Sequence, residues 1–180
     1  GIEIKDKKVL ILGSGGTAKT AIAVSKDLGA KEILTVSRTK SNDNITYNEA
    51  YDKHCDAQVI INTTPCGMFP NIETAPIDLT HFNSLESVVD AVYNPLKTTL
   101  SLSAEKKGAK SVCGLYMLVA QAVYACEKFK GCEIQKSEID RVYNKVLGSK
   151  QNIVLIGMPS CGKSTVGRLL AEKLGRPFYD

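Results

Sequence analysis

Short apolar runs alternate with helical stretches over the first 113 residues of the chain. Lys8–Leu12 is a near-continuous apolar run that ends in glycines, which predicts a strand buried on both faces of a parallel sheet. The helical stretch Gly16–Leu28 follows it. Further β-like runs occupy Glu32–Ser37, Gln58–Asn62, Ser87–Tyr93 and Lys110–Cys113. Because strands alternate with helices, the pattern predicts an α/β fold with a Rossmann-like, doubly wound parallel sheet.

The pattern changes after Cys113, where two predicted helices, a linker and a second strand-turn-helix unit follow. They occupy, in order, Gly114–Lys130, Ser137–Leu147, Gly148–Gln151 and residues 152–174. Ser137 and Asp140 predict a capping box at the start of the second helix. Because one strand-turn-helix unit cannot bury its own faces, we expect the chain to be cut inside a second domain.

Composition narrows the class of protein without naming it. Apolar residues make up 43% and charged residues 23%, which is ordinary for a globular protein. The net charge of +4 is too small to indicate a nucleic-acid or membrane partner. We see no apolar signal core and no apolar run of ~18 residues. The six cysteines form no C-x-x-C pair and only two histidines are present, which argues against structural zinc and favours free thiols in the cytoplasm.

A glycine-rich turn joins the first predicted strand to its helix. Its sequence is Gly13-Ser-Gly-Gly16-Thr-Ala18. Gly13 permits a tight turn, Gly15 lets the backbone approach a pyrophosphate, and the helix N-terminus supplies amide donors. The motif predicts a dinucleotide site, and a plain glycine turn is the alternative.

The second predicted strand ends without an acidic residue. Sheets that bind NAD place Asp or Glu there for the ribose 2′-hydroxyl, whereas this chain has Ser37-Arg38-Thr39-Lys40. A guanidinium can hold a 2′-phosphate through two parallel hydrogen bonds and stack on an adenine. Arg38 therefore indicates NADP, and a solvated surface arginine is the alternative.

The helix after Cys113 carries a glutamine on an apolar face. Gly114, Met117, Leu118 and Gln121 lie at helical spacing on one side. A glutamine on such a face needs a hydrogen-bond partner, because burying its amide unpaired is costly. A core-edge glutamine bonded to the backbone is the alternative that composition favours.

A second phosphate motif follows the predicted strand Ile153–Ile156. The sequence Gly157-Met-Pro-Ser-Cys-Gly-Lys-Ser164 matches the P-loop pattern and opens a helix. Its amides would cradle phosphates, Lys163 would reach the β- and γ-phosphates, and Ser164 would bind Mg²⁺. The alternative is an incomplete and therefore weak site.

These motifs, in this order, resemble the C-terminal, NADP-binding part of the shikimate dehydrogenase family, followed by the start of a shikimate kinase. The first resemblance covers about residues 1–148 and rests on VLILGSGGTAKT, SRT, INTTPCGM, VVDAVYNPLKT and GLYMLVAQA. The second covers about residues 152–180, from NIVLIGMPSCGKST to GRPFYD. The resemblance implies an oxidoreductase that reduces 3-dehydroshikimate to shikimate with NADPH. It also implies a fused, ATP- and Mg²⁺-dependent kinase that phosphorylates shikimate in aromatic amino-acid biosynthesis.

The resemblance assigns roles to individual positions. The cofactor-binding positions would be Gly13, Gly15, Gly16, Thr17, Ala18, Ser37, Arg38, Thr39, Lys40, Asn62, Thr63, Thr64, Met68, Gly114 and Met117. Tyr93 and Gln121 match substrate-contacting positions. The ATP-phosphate positions would be Gly157, Gly162, Lys163, Ser164 and Thr165, with Ser164 and Asp180 near Mg²⁺. The family often has a second basic residue three positions after the threonine, where this chain has Asn42. The resemblance therefore implies a weakened 2′-phosphate clamp, for which Lys40 would compensate.

The resemblance also implies a division of the chain. Residues 1–113 would form the NADP-binding domain, 114–148 a two-helix extension, and 149–180 a linker with a truncated P-loop unit. In the family the catalytic Lys and Asp lie in a preceding N-terminal domain on which the extension packs. We therefore assign no catalytic residue here and expect the isolated chain to be inactive.

Other readings of the same residues stay open. They are a non-catalytic NADP-binding fragment, a quinate dehydrogenase, or another NADP enzyme such as a folate dehydrogenase or a glutamyl-tRNA reductase. The runs YNPLKT and MLVAQ argue against the last two. The sequence predicts no particular oligomeric state.

Overall fold

The computed structural model describes residues 1–40 and 43–180. Its strands form one six-stranded parallel sheet in the order β3-β2-β1-β4-β5-β6. They are β1 Lys8–Leu12, β2 Glu32–Ser37, β3 Ile45–Thr46, β4 Val59–Asn62, β5 Ser87–Asp90 and β6 Lys110–Cys113. The chain runs from β1 to one edge of the sheet, returns beside β1 as β4, and continues to the other edge. This is the doubly wound order of a Rossmann-like fold, so the predicted fold class is confirmed.

Helices connect the strands and continue after the last of them. They are α1 Gly16–Asp27, α2 Tyr47–Lys53, α3 Thr99–Lys106, α4 Leu115–Lys130, α5 Lys136–Lys150 and α6 Lys163–Leu174, with a short 3₁₀ turn at Leu79–His81. The helix α2 begins with a capping box, in which Thr46 Oγ1 accepts from the Glu49 amide and the Glu49 carboxylate accepts from the Thr46 amide.

The core lies on both faces of the central strands. Alternate side chains of β1 point to opposite faces, so Leu10 and Leu12 join one buried cluster while Val9 and Ile11 join the other. Every residue of β4 is buried in the same way. Burial on both faces explains why these strands are continuous apolar runs rather than alternating ones.

Several predicted bounds and one predicted cap are wrong. The strand β5 ends at Asp90 rather than Tyr93, because the following residues turn into the loop before α3. The helix α5 continues to Lys150 through most of the predicted linker. Ser137 is the second residue of α5, so it lies inside the helix and cannot cap it with Asp140.

The chain divides into two compact units, residues 1–143 and residues 144–180. The second unit contains the end of α5 and the helix α6, which ends at Leu174 with Gly175 as its C-cap. Within it, Gly167 is buried, and a Cβ there would lie 2.4 Å from the Phe178 ring. The predicted strand Ile153–Ile156 is wrong, since these residues form no strand. The physical reason is that a parallel strand needs neighbours to bond with, and the described residues 144–180 supply none.

None of the described helices combines the length and apolar character that a bilayer-spanning segment requires.

Candidate functional site

The glycine turn lies at the point where the sheet changes direction, between β1 and β4. The Gly13 amide donates to the Val36 carbonyl at 2.8 Å, and the Thr63 amide donates to the Leu12 carbonyl at 2.9 Å. Gly13 has a φ of +104°, and a Cβ there would lie 2.8 Å from Thr63 Oγ1. Both the backbone conformation and this close approach require glycine. The turn and the loop after β4 therefore border one site at the carboxyl edge of the sheet, where ligands of open α/β sheets bind.

The start of α1 faces open space. Gly15 is the N-cap, no side chain caps the helix, and the first turn has no acidic residue. A Cβ on Gly15 or on Gly16 would meet no atom within 4 Å, so the backbone is accessible there. Thr17 is exposed, whereas Ala18 is 1% exposed and lets the helix pack close to the sheet. Unpaired amides at a positive helix end form a suitable place for a phosphate group.

The loop after β2 carries basic side chains beside this site. Arg38, Thr39 and Lys40 are exposed, and the Ser37 hydroxyl donates to the Thr39 carbonyl. Lys40 forms an ion pair with Glu49 of α2. Among the residues that the structure describes, Arg38 has no ion pair. Asn42, at the position where the resemblance implies a second basic residue, lies outside the described residues.

Tyr47 connects the loops after β2 and β4 electrostatically. Burial raises the pKa of its phenol, Cys66 and Tyr51 add to the rise, and the positive charge of Arg38 opposes it. Tyr47 itself packs, partly buried, against the core at the start of α2. Tyr47 was not predicted as a residue near the site, because its local sequence does not distinguish it from any other tyrosine that begins a helix.

A buried polar network shapes the loops after β4 and β5. Asn62 Nδ2 donates to Asp90 Oδ1 at 2.9 Å, and Asn62 Oδ1 accepts from the amide and hydroxyl of Thr64 at 3.0 and 2.7 Å. Asp90 also accepts from the Val92 amide at 3.0 Å and from Thr98 Oγ1 at 2.6 Å. Burial raises the pKa of Asp90, and these hydrogen bonds oppose the rise. Sequence reasoning missed Asp90 and Thr98, although a carboxylate ending an apolar strand is a signal that could have found Asp90.

The remaining predicted residues follow β4, β5 and β6. The Gly114 amide donates to the Val92 carbonyl at 3.1 Å, and a Cβ on Gly114 would lie 2.1 Å from the Ala91 carbonyl oxygen. Met68, Tyr93 and Met117 are 43%, 37% and 45% exposed, which leaves their side chains available to a ligand. Gln121 is also exposed, so the expectation of a buried amide in need of a partner is wrong. Gln121 and Met117 lie on an exposed part of α4, where water can satisfy the amide.

The second phosphate motif is present as a loop followed by α6. Lys163 Nζ donates to the Gly157 and Met158 carbonyls at 2.9 and 2.7 Å, so its ammonium lies over its own loop. Ser164 Oγ donates to Asp180 Oδ1 at 3.1 Å. Gly162 is the N-cap of α6, and Thr165 is exposed. The described residues contain no group of three or more His, Cys, Asp or Glu side chains that could hold a metal ion.

Comparison with known proteins places the chain beside one group of enzymes. No protein-family model matches the chain. It is 41% identical over 141 residues to a shikimate dehydrogenase (NADP(+)) of Caldicellulosiruptor bescii, an alignment that covers 69% of this chain and 48% of the relative. The chain spans about half the length of the curated relatives it matches.

Solved structures agree with the sequence relatives. The crystal structure of a chorismate mutase/shikimate 5-dehydrogenase fusion protein from Clostridium acetobutylicum is 33% identical with a TM-score of 0.77, covering 84% of this chain and 58% of that one. A shikimate dehydrogenase in complex with NADP+ is 28% identical with a TM-score of 0.63, covering 83% of this chain and 56% of that one. The structural relatives and the sequence relatives are therefore dehydrogenases of the same kind.

Proposed function

We propose that this chain is the NADP-binding part of a shikimate dehydrogenase, which reduces 3-dehydroshikimate to shikimate with NADPH. The observation that carries the proposal is the site at the carboxyl ends of β1 and β4, where the strand order of the sheet reverses. There Gly13 approaches Thr63 too closely for a side chain, while Gly15 and Gly16 border open space. The pyrophosphate of a dinucleotide fits such a site. The similarity to NADP-dependent shikimate dehydrogenases supports the choice of enzyme.

The residues of this chain would bind and orient the cofactor, while NADP supplies the hydride chemistry. The amides at the start of α1 would hold the pyrophosphate, and Arg38 with Thr39 would hold the 2′-phosphate. The Asn62–Thr64 loop and Met68 would border the cofactor. Asn62, which bonds to Asp90 and accepts from the Thr64 amide, holds the start of this loop in place.

The substrate would meet the cofactor beside the start of α4. Gly114 and Met117 would line the nicotinamide, since Gly114 is the N-cap of α4 and the Met117 side chain in its first turn is exposed to a ligand. Tyr93 and Gln121 would contact the substrate through their exposed polar groups. Shikimate is favoured over quinate because the relatives described above are shikimate dehydrogenases.

Titration with both cofactors tests the proposal. We expect the chain to bind NADP at least about tenfold more tightly than NAD, because a guanidinium forms charge-assisted bonds with a 2′-phosphate. Arg38→Gln should remove the preference, whereas Arg141→Gln, which changes the charge on α5, should not. Equal affinity for the two cofactors would contradict the proposal. NADP binding with shikimate oxidation absent even beside a supplied catalytic domain would favour the non-catalytic module.

We also propose that residues 152–180 are the start of a shikimate kinase. The observation that favours this is the Ser164–Asp180 hydrogen bond, which brings together a hydroxyl and a carboxylate suited to Mg²⁺. Lys163 lies over the loop that would cradle the phosphates. Equilibrium titration with ATP and Mg²⁺ tests this, and Asp180→Asn should weaken Mg²⁺-dependent binding while leaving Mg²⁺-free phosphate binding unchanged.

We place the protein in the cytoplasm with small-molecule partners. The free cysteines Cys55, Cys126, Cys132 and Cys161 are solvent-exposed, and such thiols persist in a reducing compartment. The net charge of +4 does not favour nucleic acid or a membrane surface. Incubation in an oxidising glutathione buffer should therefore produce mixed disulfides at these positions, detectable by mass spectrometry.

A further inference from the structure

Lys40 is already paired with a carboxylate in the site where a 2′-phosphate would bind. Its ammonium contacts Glu49 Oε1 of α2. The lysine side chain is 64% exposed, whereas the glutamate side chain is 22% exposed. The accessible member of the pair is therefore the cation, and the carboxylate is the less mobile member.

Glu49 is fixed by the helix it caps. Its Oε2 accepts from the Thr46 amide at 3.1 Å and lies 3.4 Å from Thr46 Oγ1, while the Glu49 amide donates to Thr46 Oγ1 at 3.2 Å. This reciprocal capping box holds the carboxylate at the start of α2 whether or not Lys40 is present. A fixed carboxylate beside the proposed anion site places a negative charge near the 2′-phosphate of NADP. NAD has no 2′-phosphate on which this charge could act.

The carboxylate belongs to the same environment as Arg38. Lys40 follows Arg38 by two positions in the loop after β2, and its ammonium contacts Glu49 in the first turn of α2. The side chains that would grip a 2′-phosphate and the carboxylate that holds Lys40 therefore border one site.

We infer that Glu49 is a specificity-determining residue for the cofactor, because it withholds Lys40 from the 2′-phosphate and so limits the preference for NADP over NAD. The inference rests on the proposed NADP site. A phosphate and the Glu49 carboxylate compete for one ammonium, and the phosphate gains only the difference between the two interactions. Arg38 and Thr39 carry the preference without Lys40 while Lys40 is paired. NAD, which has a 2′-hydroxyl, is indifferent to this competition.

A double-mutant cycle on the full 180-residue chain tests the inference. Glu49→Gln keeps the capping box, since glutamine also accepts at this position, and removes the charge. We expect Glu49→Gln to tighten NADP binding about three- to tenfold and to leave NAD binding within about twofold. In a Lys40→Met background the same change should tighten NADP binding by less than about twofold, because no ammonium remains to be released. Glu138→Gln, which breaks the Glu138–Arg141 pair of α5, is the matched charge control and should change neither affinity.

Each outcome decides the inference. No gain in NADP affinity on Glu49→Gln overturns it, and so does an equal gain with and without Lys40, which would mean direct repulsion by the carboxylate. Thermal unfolding by circular dichroism confirms that every variant folds. The proposed function fails separately, if the unchanged chain prefers neither cofactor or if Arg38→Gln leaves its preference intact.

Discussion

Asn62 donates its side-chain amide to the carboxylate of Asp90, with Nδ2 and Oδ1 2.9 Å apart, and so joins the carboxyl ends of β4 and β5. The two strands are neighbours with Asn62 opposite Asp90 in register, so the bond follows from the pairing of the strands. Through the other bonds of these side chains, the loop that begins at Thr64 and the cap of α3 at Thr98 are fixed to the same point. The shape of the proposed nicotinamide side of the site therefore depends on a carboxylate that no ligand would touch.

Replacing Asp90 should lower the free energy of unfolding by an amount that depends on how many hydrogen-bond donors lose their acceptor. Asp90→Ala leaves the Asn62 amide, the Val92 amide and the Thr98 hydroxyl without their partner, and should lower the free energy of unfolding by about 3 kcal/mol or more. Asp90→Asn should cost about 1 kcal/mol, because its oxygen can still accept from Asn62 and Val92. Urea denaturation followed by circular dichroism measures both values. An alanine variant within about 1 kcal/mol of the unchanged chain would show that water replaces the network.

Gly114 should tolerate no side chain. A Cβ at this position would lie 2.1 Å from the Ala91 carbonyl oxygen, a backbone atom that cannot rotate away. Gly114→Ala should therefore lower the free energy of unfolding by about 1–3 kcal/mol and weaken NADP binding, because the loop after β5 must move. The matched control is Gly148→Ala in α5, where a Cβ would meet nothing within 4 Å. That control should raise stability by about 0.5–1 kcal/mol. Similar effects of the two substitutions would contradict the close approach.

Acid should weaken the contribution of Glu49 to stability. The hydrogen bond from Lys40, followed by that from the Thr46 amide, lowers the pKa of Glu49 to about 2 from its ordinary 4.5. Between these pH values the folded chain binds fewer protons than the unfolded chain, so stability rises with pH. The contribution is complete above the ordinary pKa and is lost as the pH falls towards the folded one. The unchanged chain should therefore exceed Glu49→Gln in stability more at about pH 6 than at about pH 3, measured by urea denaturation at both. A difference independent of pH would contradict the ion pair.

The sequence predicted the sheet where the apolar pattern is strong. Lys8–Leu12, Glu32–Ser37 and Lys110–Cys113 form strands with the predicted bounds. The strand β3 was missed, because Ile45–Thr46 is too short to show a period. The predicted strand Ile153–Ile156 has the same apolar character as β1 but no partner strand in its unit, and backbone pairing is not a local property.

The site could be predicted only where one residue carries its own signal. The glycine turn and Arg38 stand out because their chemistry is local to a strand end. The Asn62–Asp90 bond joins residues 28 positions apart, and the sequence does not state which strands are neighbours. Glu49 was missed for the same reason, since its partner Lys40 lies on a different element. Gln121 was misjudged because periodicity identifies a helix face without showing which way that face points.

Residues 1–180 alone should bind NADP without oxidising shikimate. The described site offers groups that we propose to hold a cofactor, and its buried carboxylate, Asp90, is 0% exposed and cannot reach a substrate. General acid–base catalysis is worth about 10²–10⁴-fold, and this site supplies no paired lysine and aspartate among its described residues. NADPH formation followed at 340 nm, with shikimate and NADP, should stay at background on the order of the uncatalysed rate. Robust turnover by the purified chain would reveal an acid–base group within it, and Asp90→Asn would then test whether the buried carboxylate is that group.

The proposed P-loop unit should hold phosphate without phosphorylating shikimate. In α6 the apolar side chains Val166, Leu169 and Leu174 are 55%, 63% and 47% exposed, and residues Ile153–Ile156 form no strand beneath the loop. A loop without a sheet to fix it cannot hold ATP in line with an acceptor, and positioning supplies much of the rate of phosphoryl transfer. A coupled assay should therefore detect no shikimate-dependent ADP release. Lys163→Ala should weaken ATP binding severalfold, because it removes the ammonium that lies over the Gly157 and Met158 carbonyls, whereas Lys173→Ala near the end of α6 should not. Shikimate-dependent ADP release that Lys163→Ala abolishes would instead show that this short unit is a working kinase site.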